Sequence, residues 1–190
     1  TMNSSSCKTD IGALVLLGKR SIESMKWQDY YASEENLVSE NDVVTIDLAP
    51  TVDGYWGDYA RTIFVENGVA QEDDPKNPLF RKGLDAELFL HSKLIEIFTP
   101  EMTYEELYFQ LNAEIRNLGF ENLDNHGNLG HSVEIDQKDR IYIERGNTSS
   151  FKEVGKSFTL EPHIRPCNGS LGFKRENIYY FDEAGSLHAL

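Results

Sequence analysis

The chain has 190 residues, with 32 acidic against 18 basic side chains and a formal net charge of −14, which disfavours nucleic acid and anionic membrane as partners. Its 39% hydrophobic and 11% aromatic content excludes a disordered polymer, and the length suits one domain with a sizeable core. No apolar run reaches membrane-spanning length, and the N-terminus lacks the charged-then-apolar order of a secretory signal. The two cysteines, Cys7 and Cys167, lie far apart and read as free thiols, so the expected compartment is the reducing cytoplasm.

In chain order, the apolar segment Ile11–Leu17 reads as a buried strand. Residues 19–41 are mixed and polar, with Trp27, Tyr30 and Tyr31 as their large side chains, and read as an irregular stretch covering a cleft. Residues 43–49 alternate, with Val44, Ile46 and Leu48 on one face and Thr45, Asp47 and Ala49 on the other. Asp53-Gly54 signals a tight turn, and Tyr55–Val65 returns as a second strand. Residues 66–76 are acidic and read as an exposed loop.

Two helices follow. Asn77 caps the first, Pro78 occupies its first turn and Pro100 ends it, with Phe80, Leu84, Leu88, Ile95 and Phe98 as the apolar stripe. Thr103 and Glu106 form a capping box for the second, whose stripe is Leu107, Leu111, Ile115 and Leu118, and Gly119 stops it. Short strands are expected within 126–135, 140–143, 157–164, 174–181 and 187–190. Together these predict an α+β fold, a curved, mostly antiparallel sheet backed by helices.

Five residues carry the chemistry: Asp47, Asp58, His131, Glu161 and Glu176. A two-residue turn at Asp53-Gly54 sets position 47 opposite position 60, which makes Asp47 and Asp58 diagonal neighbours about 7–8 Å apart on one face. Two like charges over a half-apolar sheet call for a cation; the alternative is that both point to solvent at a sheet end. Ser157, Thr159, Glu161 and His163 share one strand face, and Glu176 alternates with Lys174 and Ile178 on another. His131 follows Gly127 and Gly130, in a loop that either brings its imidazole to a metal or leaves it solvated. Four carboxylates and one imidazole make an oxygen-rich ligand set suited, if they converge, to two divalent ions in a metal-assisted hydrolase.

The segments VVTIDLAPTVDGYWGDYARTIFV, HGNLGHSVE, FTLEPHI and GFKRENIYYF, in that order and with Asp47 and Asp58 eleven residues apart, resemble the pita-bread metallopeptidases: methionine aminopeptidase, Xaa-Pro aminopeptidase and prolidase. The resemblance spans about residues 14–190, with the Asp58-Tyr59-Ala60-Arg61-Thr62 context closest to the Xaa-Pro aminopeptidase and prolidase branch. It implies that Asp47 chelates one metal, Asp58 and Glu176 bridge two, His131 binds the other, and Glu161 binds metal and handles the proton of the attacking water. The implied ions are two divalent metals, Mn²⁺ foremost, with Co²⁺, Fe²⁺ or Zn²⁺ also suited to these donors. The implied function is a dinuclear aminopeptidase acting on small peptides, as a single catalytic domain over residues 1–190 and compatible with a homodimer.

This sequence departs from the family pattern at three places. Where relatives carry a substrate-contacting histidine upstream of the first aspartate, it has Asp29, Tyr30 and Tyr31. Where they carry a second histidine beyond the metal-binding one, it has Lys138. His163 replaces the usual glycine after Glu161-Pro162 and is expected to take over the transition-state role, the alternative being a surface side chain. The family's leading helices have no counterpart before Ile11, so the expectation is either a minimal version of the domain or one that lacks a leading piece. These departures keep open a catalytically impaired relative that binds peptides or a protein partner, and a hydrolase of small C–N substrates in the manner of creatinase.

Overall fold

The computed structural model describes residues 9–23, 32–53 and 55–190. The expectations placed on Cys7, Trp27, Asp29, Tyr30, Tyr31 and Gly54 lie outside the described residues. The chain enters on β1 (Thr9–Leu17), turns through a 3-10 segment (Gly18–Ile22), and pairs β2 (Asp42–Val52) antiparallel to β1 along its length. β3 (Tyr55–Trp56) and β4 (Tyr59–Glu66) return along β2, and β5 (Val69–Gln71) folds back on β4. Then come α1 (Pro78–Ile97), α2 (Tyr104–Asn117) and β6 (Phe120–Asn122). The short α3 (Phe151–Val154) precedes β7 (Ser157–Leu160), β8 (His163–Pro166), the long β9 (Phe173–Phe181) and β10 (Leu187–Ala189). Among the described residues every strand pairing is antiparallel, in the order β1-β2-β4-β9-β8-β6, with β7 and β10 also on β9. The sheet is curled, with the helices against it.

Local signals placed most of these elements. Leu79 N donates to the Asn77 side chain at the start of α1, and both halves of the Thr103/Glu106 capping box are made at α2. The hairpin register is the one a two-residue turn dictates: Val52 faces Tyr55 and Asp47 faces Ala60. Asp53 has a φ of 51°, as such a turn requires.

Several expectations are corrected. The strand drawn through 55–65 breaks at Gly57-Asp58, and the one through 157–164 breaks at Glu161-Pro162, because Pro162 has no N–H to give the ladder. Residues 126–135 and 140–143 form no extended strands, only the bridges His131↔Tyr142 and Ser132↔Phe158. The acidic stretch 66–76 contains β5. On β2 the deeply buried face carries Val43 and Thr45, whereas Val44, Ile46 and Leu48 are half-buried. In α1, Leu88 and Ile95 are 41% and 56% exposed, while Glu87 and His91 lie inside with Phe80, Leu84 and Leu94. A step of one residue turns a helix by about 100°, enough to move Leu88 and Ile95 off the face that meets the sheet.

The main core lies between the helices and the sheet. Rings from Phe98, Tyr104, Phe151, Phe158, Tyr179 and Phe181 interlock there, with Tyr104 and Phe151 stacked at 4.1 Å. Gly83 lets α1 approach β9: a Cβ at this position would overlap the Phe173 ring. That close contact holds the strand that carries Glu176.

His91 spans the same interface. Its Nε2–H donates to the Arg175 carbonyl (3.2 Å) and its Nδ1 accepts from the Tyr179 hydroxyl (2.7 Å), so the ring is neutral. Burial lowers its pKa from 6.5 to about 3. Below pH 6.5 the unfolded chain protonates this residue while the folded chain does not, so its contribution to stability is lost as pH falls toward 3. His91→Gln is expected to flatten the fall in denaturation midpoint between pH 6.5 and 4 relative to wild type. Parallel curves for the two proteins in urea melts would contradict this.

Candidate metal centre

The centre is built from strand register. Asp47 on β2 faces Ala60 on β4, and Ala60 faces Glu176 on β9. Side chains opposite one another on paired strands point to the same side, so the two carboxylates flank a single methyl group. Ala60 is fully buried, and its small size leaves the space between them free. β7 and β8 share one register on β9, since Leu160 faces Asn177 and His163 faces Lys174. That register sets Glu161 level with Glu176 across the break at Pro162. Asp58 precedes β4, two positions from Ala60 along the chain.

His131 reaches the same place through a loop laid against β7. Thr159 N donates to the His131 carbonyl (2.7 Å), and Glu161 N donates to the Leu129 carbonyl (2.8 Å). Gly130 permits this approach: its φ is 146°, and a Cβ there would collide with the Thr159 carbonyl. The His131 Nδ1–H donates to the Ser132 carbonyl at 2.9 Å, because a carbonyl can only accept. Nε2 is thus the ring nitrogen left for a metal, and it points at Asp58 Oδ2 (3.4 Å) and Glu161 Oε1 (3.6 Å). A backbone partner of this kind commonly orients a metal-binding imidazole.

One ligand atom from each of Asp58, His131 and Glu176 lies within 4.8 Å of the others. Glu176 is fully buried and neither of its oxygens has a hydrogen-bond partner. Burial raises its pKa to about 10, with further upward contributions from Glu161, Asp58 and Asp47 against a downward one from Lys174. A buried, unpartnered carboxylate is costly, and a divalent cation at this point satisfies it. The residues thus fit a metal: an orphaned carboxylate, an imidazole nitrogen and further hard oxygen donors converge on one point.

Two cations that the sequence did not single out enter the centre. Lys174 Nζ lies 2.5 Å from Asp47 Oδ2, 3.0 Å from Glu161 Oε2 and 3.9 Å from Glu176 Oε2. Burial by itself lowers the lysine pKa, but Glu161, Asp47 and Glu176 outweigh it and hold the ammonium well above its ordinary value. Arg140 places Nη2 3.4 Å from Asp58 Oδ2 and its guanidinium 4.7 Å above the Trp56 ring. Trp56 and Tyr142 wall His131, with ring centroids 6.0 and 5.8 Å away. The strand period carried a signal for Lys174, which stands two residues before Glu176. Nothing local marked Arg140, which comes from 82 positions beyond Asp58.

A cavity of about 360 Å³ opens beside the carboxylates, lined by Asp47, Glu161, His163, Lys174, Leu14 and Leu123. This lies within the range of small-ligand clefts, about 300–1,000 Å³. His163 is on this wall rather than on the outer surface. Its Nε2–H donates to the Ser21 carbonyl at 2.7 Å, and burial lowers its pKa to about 4. Ser21 is itself buried and its hydroxyl accepts from Gly172 N, so the segment after β1 closes this side of the cleft. Lys138 points away, paired with Asp136 in the 3-10 segment Gln137–Asp139 and 75% exposed at its side chain.

The chain is 27% identical over 129 residues to a methionine aminopeptidase of Chlamydia pneumoniae, an alignment covering 67% of this chain and 41% of that protein. Its structure matches the X-Pro aminopeptidase of Thermotoga maritima with a TM-score of 0.71 and 22% identity, covering 93% of this chain and 46% of the other. It matches the methionine aminopeptidase of Thermotoga maritima at 0.69 and 16%, over 93% of this chain and 72% of the other. The prolidase of Pyrococcus furiosus matches at 0.65 and 23%, over 93% and 48%. The chain spans less than half the length of the curated relative it matches. The fold common to these structures is the pita-bread fold. The sequence profile of metallopeptidase family M24 matches residues 21–183, and the chain belongs to that family.

Proposed function

We propose that this chain is the catalytic portion of a divalent-metal-dependent aminopeptidase that cleaves the N-terminal bond of small peptides, with a preference like that of Xaa-Pro aminopeptidases. The observation that carries the reading is Glu176: a fully buried carboxylate without a hydrogen-bond partner, clustered with Asp58 and with an imidazole whose Nδ1 is committed to a carbonyl and whose Nε2 faces the carboxylates. Asp58, His131, Glu161 and Glu176 would hold the ion, with Asp47 on the far side of Ala60. Mn²⁺ heads the candidate ions, with Co²⁺, Fe²⁺ and Zn²⁺ also compatible with this donor set. When bound, a divalent ion supplies Lewis-acid activation of water and of the scissile carbonyl.

The chain's own groups then divide the work. Glu161 stands between the His131 side and the open cavity, where its carboxylate takes the proton of the attacking water and passes it to the leaving amine. Trp56 and Tyr142 exclude bulk water from the His131 side, which strengthens every electrostatic interaction inside. We assign the transition-state contact to His163, the imidazole on the cavity wall. With Nε2–H committed to Ser21 and burial keeping the ring neutral across the physiological range, its Nδ1 meets the reacting peptide as a hydrogen-bond acceptor for a peptide N–H, not as a donor to the oxyanion.

A second reading is a relative that binds peptides without cleaving them. It is favoured by Lys138, which stands where family members carry a helper imidazole and turns outward to Asp136. Loading the purified chain with Mn²⁺ and assaying a panel of dipeptides and tripeptides, half with proline second, separates the two. Turnover that disappears on chelation supports the peptidase; metal and peptide binding without turnover supports the binder.

Asp58→Asn is expected to abolish metal retention after dialysis together with turnover; retention of both would remove Asp58 from the centre. Ala60→Leu places a side chain between Asp47 and Glu176, with an expected loss of about tenfold or more in Mn²⁺ affinity by calorimetry. The same change should lower stability by about 1–3 kcal/mol through overpacking. Unaltered affinity would show that the two carboxylates do not share one space. His163→Ala should depress kcat on a good substrate while metal content stays at the wild-type value, and an unchanged kcat would exclude the proposed contact.

A further inference from the structure

The ammonium of Lys174 occupies the place among these carboxylates where a second cation would act. Its Nζ is 2.5 Å from Asp47 Oδ2 and 3.0 Å from Glu161 Oε2, with Glu176 Oε2 at 3.9 Å. The same Glu161 turns its other oxygen toward His131 Nε2. Glu161 is thus split between two positions, one shared with His131 and Asp58, the other with Lys174 and Asp47. The compact cluster of ligand atoms lies at the first position: Asp58, His131 and Glu176 come within 4.8 Å of one another, and neither Asp47 nor Glu161 is among them, although Glu161 Oε1 stands 3.6 Å from His131 Nε2.

Charge gives the same division. In their ligand form Asp47, Asp58, Glu161 and Glu176 carry four negative charges. Lys174 at Asp47 and Arg140 at Asp58 supply two positive charges from the protein itself. The remainder is two negative charges, which one divalent ion cancels. A second divalent ion beside Asp47 would meet an ammonium in direct contact with that carboxylate, and like charges at such separations repel strongly in a buried site. The lysine side chain is only 12% exposed, held on three sides by the carboxylates. Displacing it would break those ion pairs and carry a buried charge into the cavity.

We propose that this chain is a single-ion variant of the centre, in which one divalent metal sits on Asp58, His131, Glu161 and Glu176 and the Lys174 ammonium stands in for a second ion at Asp47. This rests on the metal-dependent reading above and deepens it. Lys174 is a positioning residue here. It fixes Asp47 and one oxygen of Glu161 whether or not metal is bound, and leaves the other Glu161 oxygen for the ion or the water proton.

The test is metal stoichiometry, independent of turnover. The full chain is loaded with excess Mn²⁺, dialysed and assayed by plasma mass spectrometry, and the loaded protein is examined by electron paramagnetic resonance. The expectation is one equivalent of Mn²⁺ per chain, with the six-line spectrum of an isolated ion. Lys174→Met, which keeps the length of the side chain and removes its charge, should bind two equivalents and show the broadened spectrum of a coupled pair. Two equivalents with a coupled spectrum in the wild type would overturn the proposal while leaving the metallopeptidase reading intact. One equivalent in a folded Lys174→Met would also overturn it. No bound metal in the wild type would sink both. If Lys174→Met does not fold, the wild-type stoichiometry and spectrum decide the matter alone.

Discussion

The structure depends on one electrostatic constraint: acidic side chains from separate strands are stacked side by side in a sheet, largely buried. Asp47, Ala60, Glu176 and Glu161 form a row across β2, β4, β9 and the break between β7 and β8. Such a row is tolerable only with cations among its members. Lys174 and Arg140 supply two, and the orphaned oxygens of Glu176 mark the place of another. Much of the surrounding architecture follows from keeping that row aligned. Gly83 brings α1 onto β9, Gly130 lays the His131 loop against β7, and Ala60 keeps the middle of the row narrow.

Two sides of β9 divide the labour of the domain. Toward α1, the Arg175 carbonyl and the Tyr179 hydroxyl hydrogen-bond to His91, an imidazole that burial keeps neutral. Toward the cleft, Lys174 and Glu176 face the other carboxylates. The alternation of a single strand therefore ties the packing of the helix layer to the geometry of the centre. Polar residues inside α1, which a purely apolar stripe does not anticipate, belong to that coupling.

The family resemblance and the local geometry meet at Asp58, His131 and Glu176 and part company over the surrounding groups. Lys138, where the resemblance expects a helper imidazole, faces outward, His163 stands on the cavity wall, and the Lys174 ammonium pairs with Asp47.

From the sequence alone, the helix caps, the two-residue turn, the pairing of position 47 with 60 and the order of the five candidate ligands could be read. Each depends on residues close in the chain: a side-chain oxygen three residues from the N–H it caps, or a turn length that forces a register. The break at Pro162 could have been read by the same logic, since a proline removes a ladder donor. The inner face of α1 was misread because Leu88 and Ile95 look like core by composition, and only the position of the sheet decides which arc of a helix is covered. Arg140 beside Asp58, the two environments of Glu161 and the ammonium between Asp47 and Glu161 belonged to the tertiary structure. They arise from contacts across 82, 30 and 127 positions of chain, where only the packed sheet sets the distance.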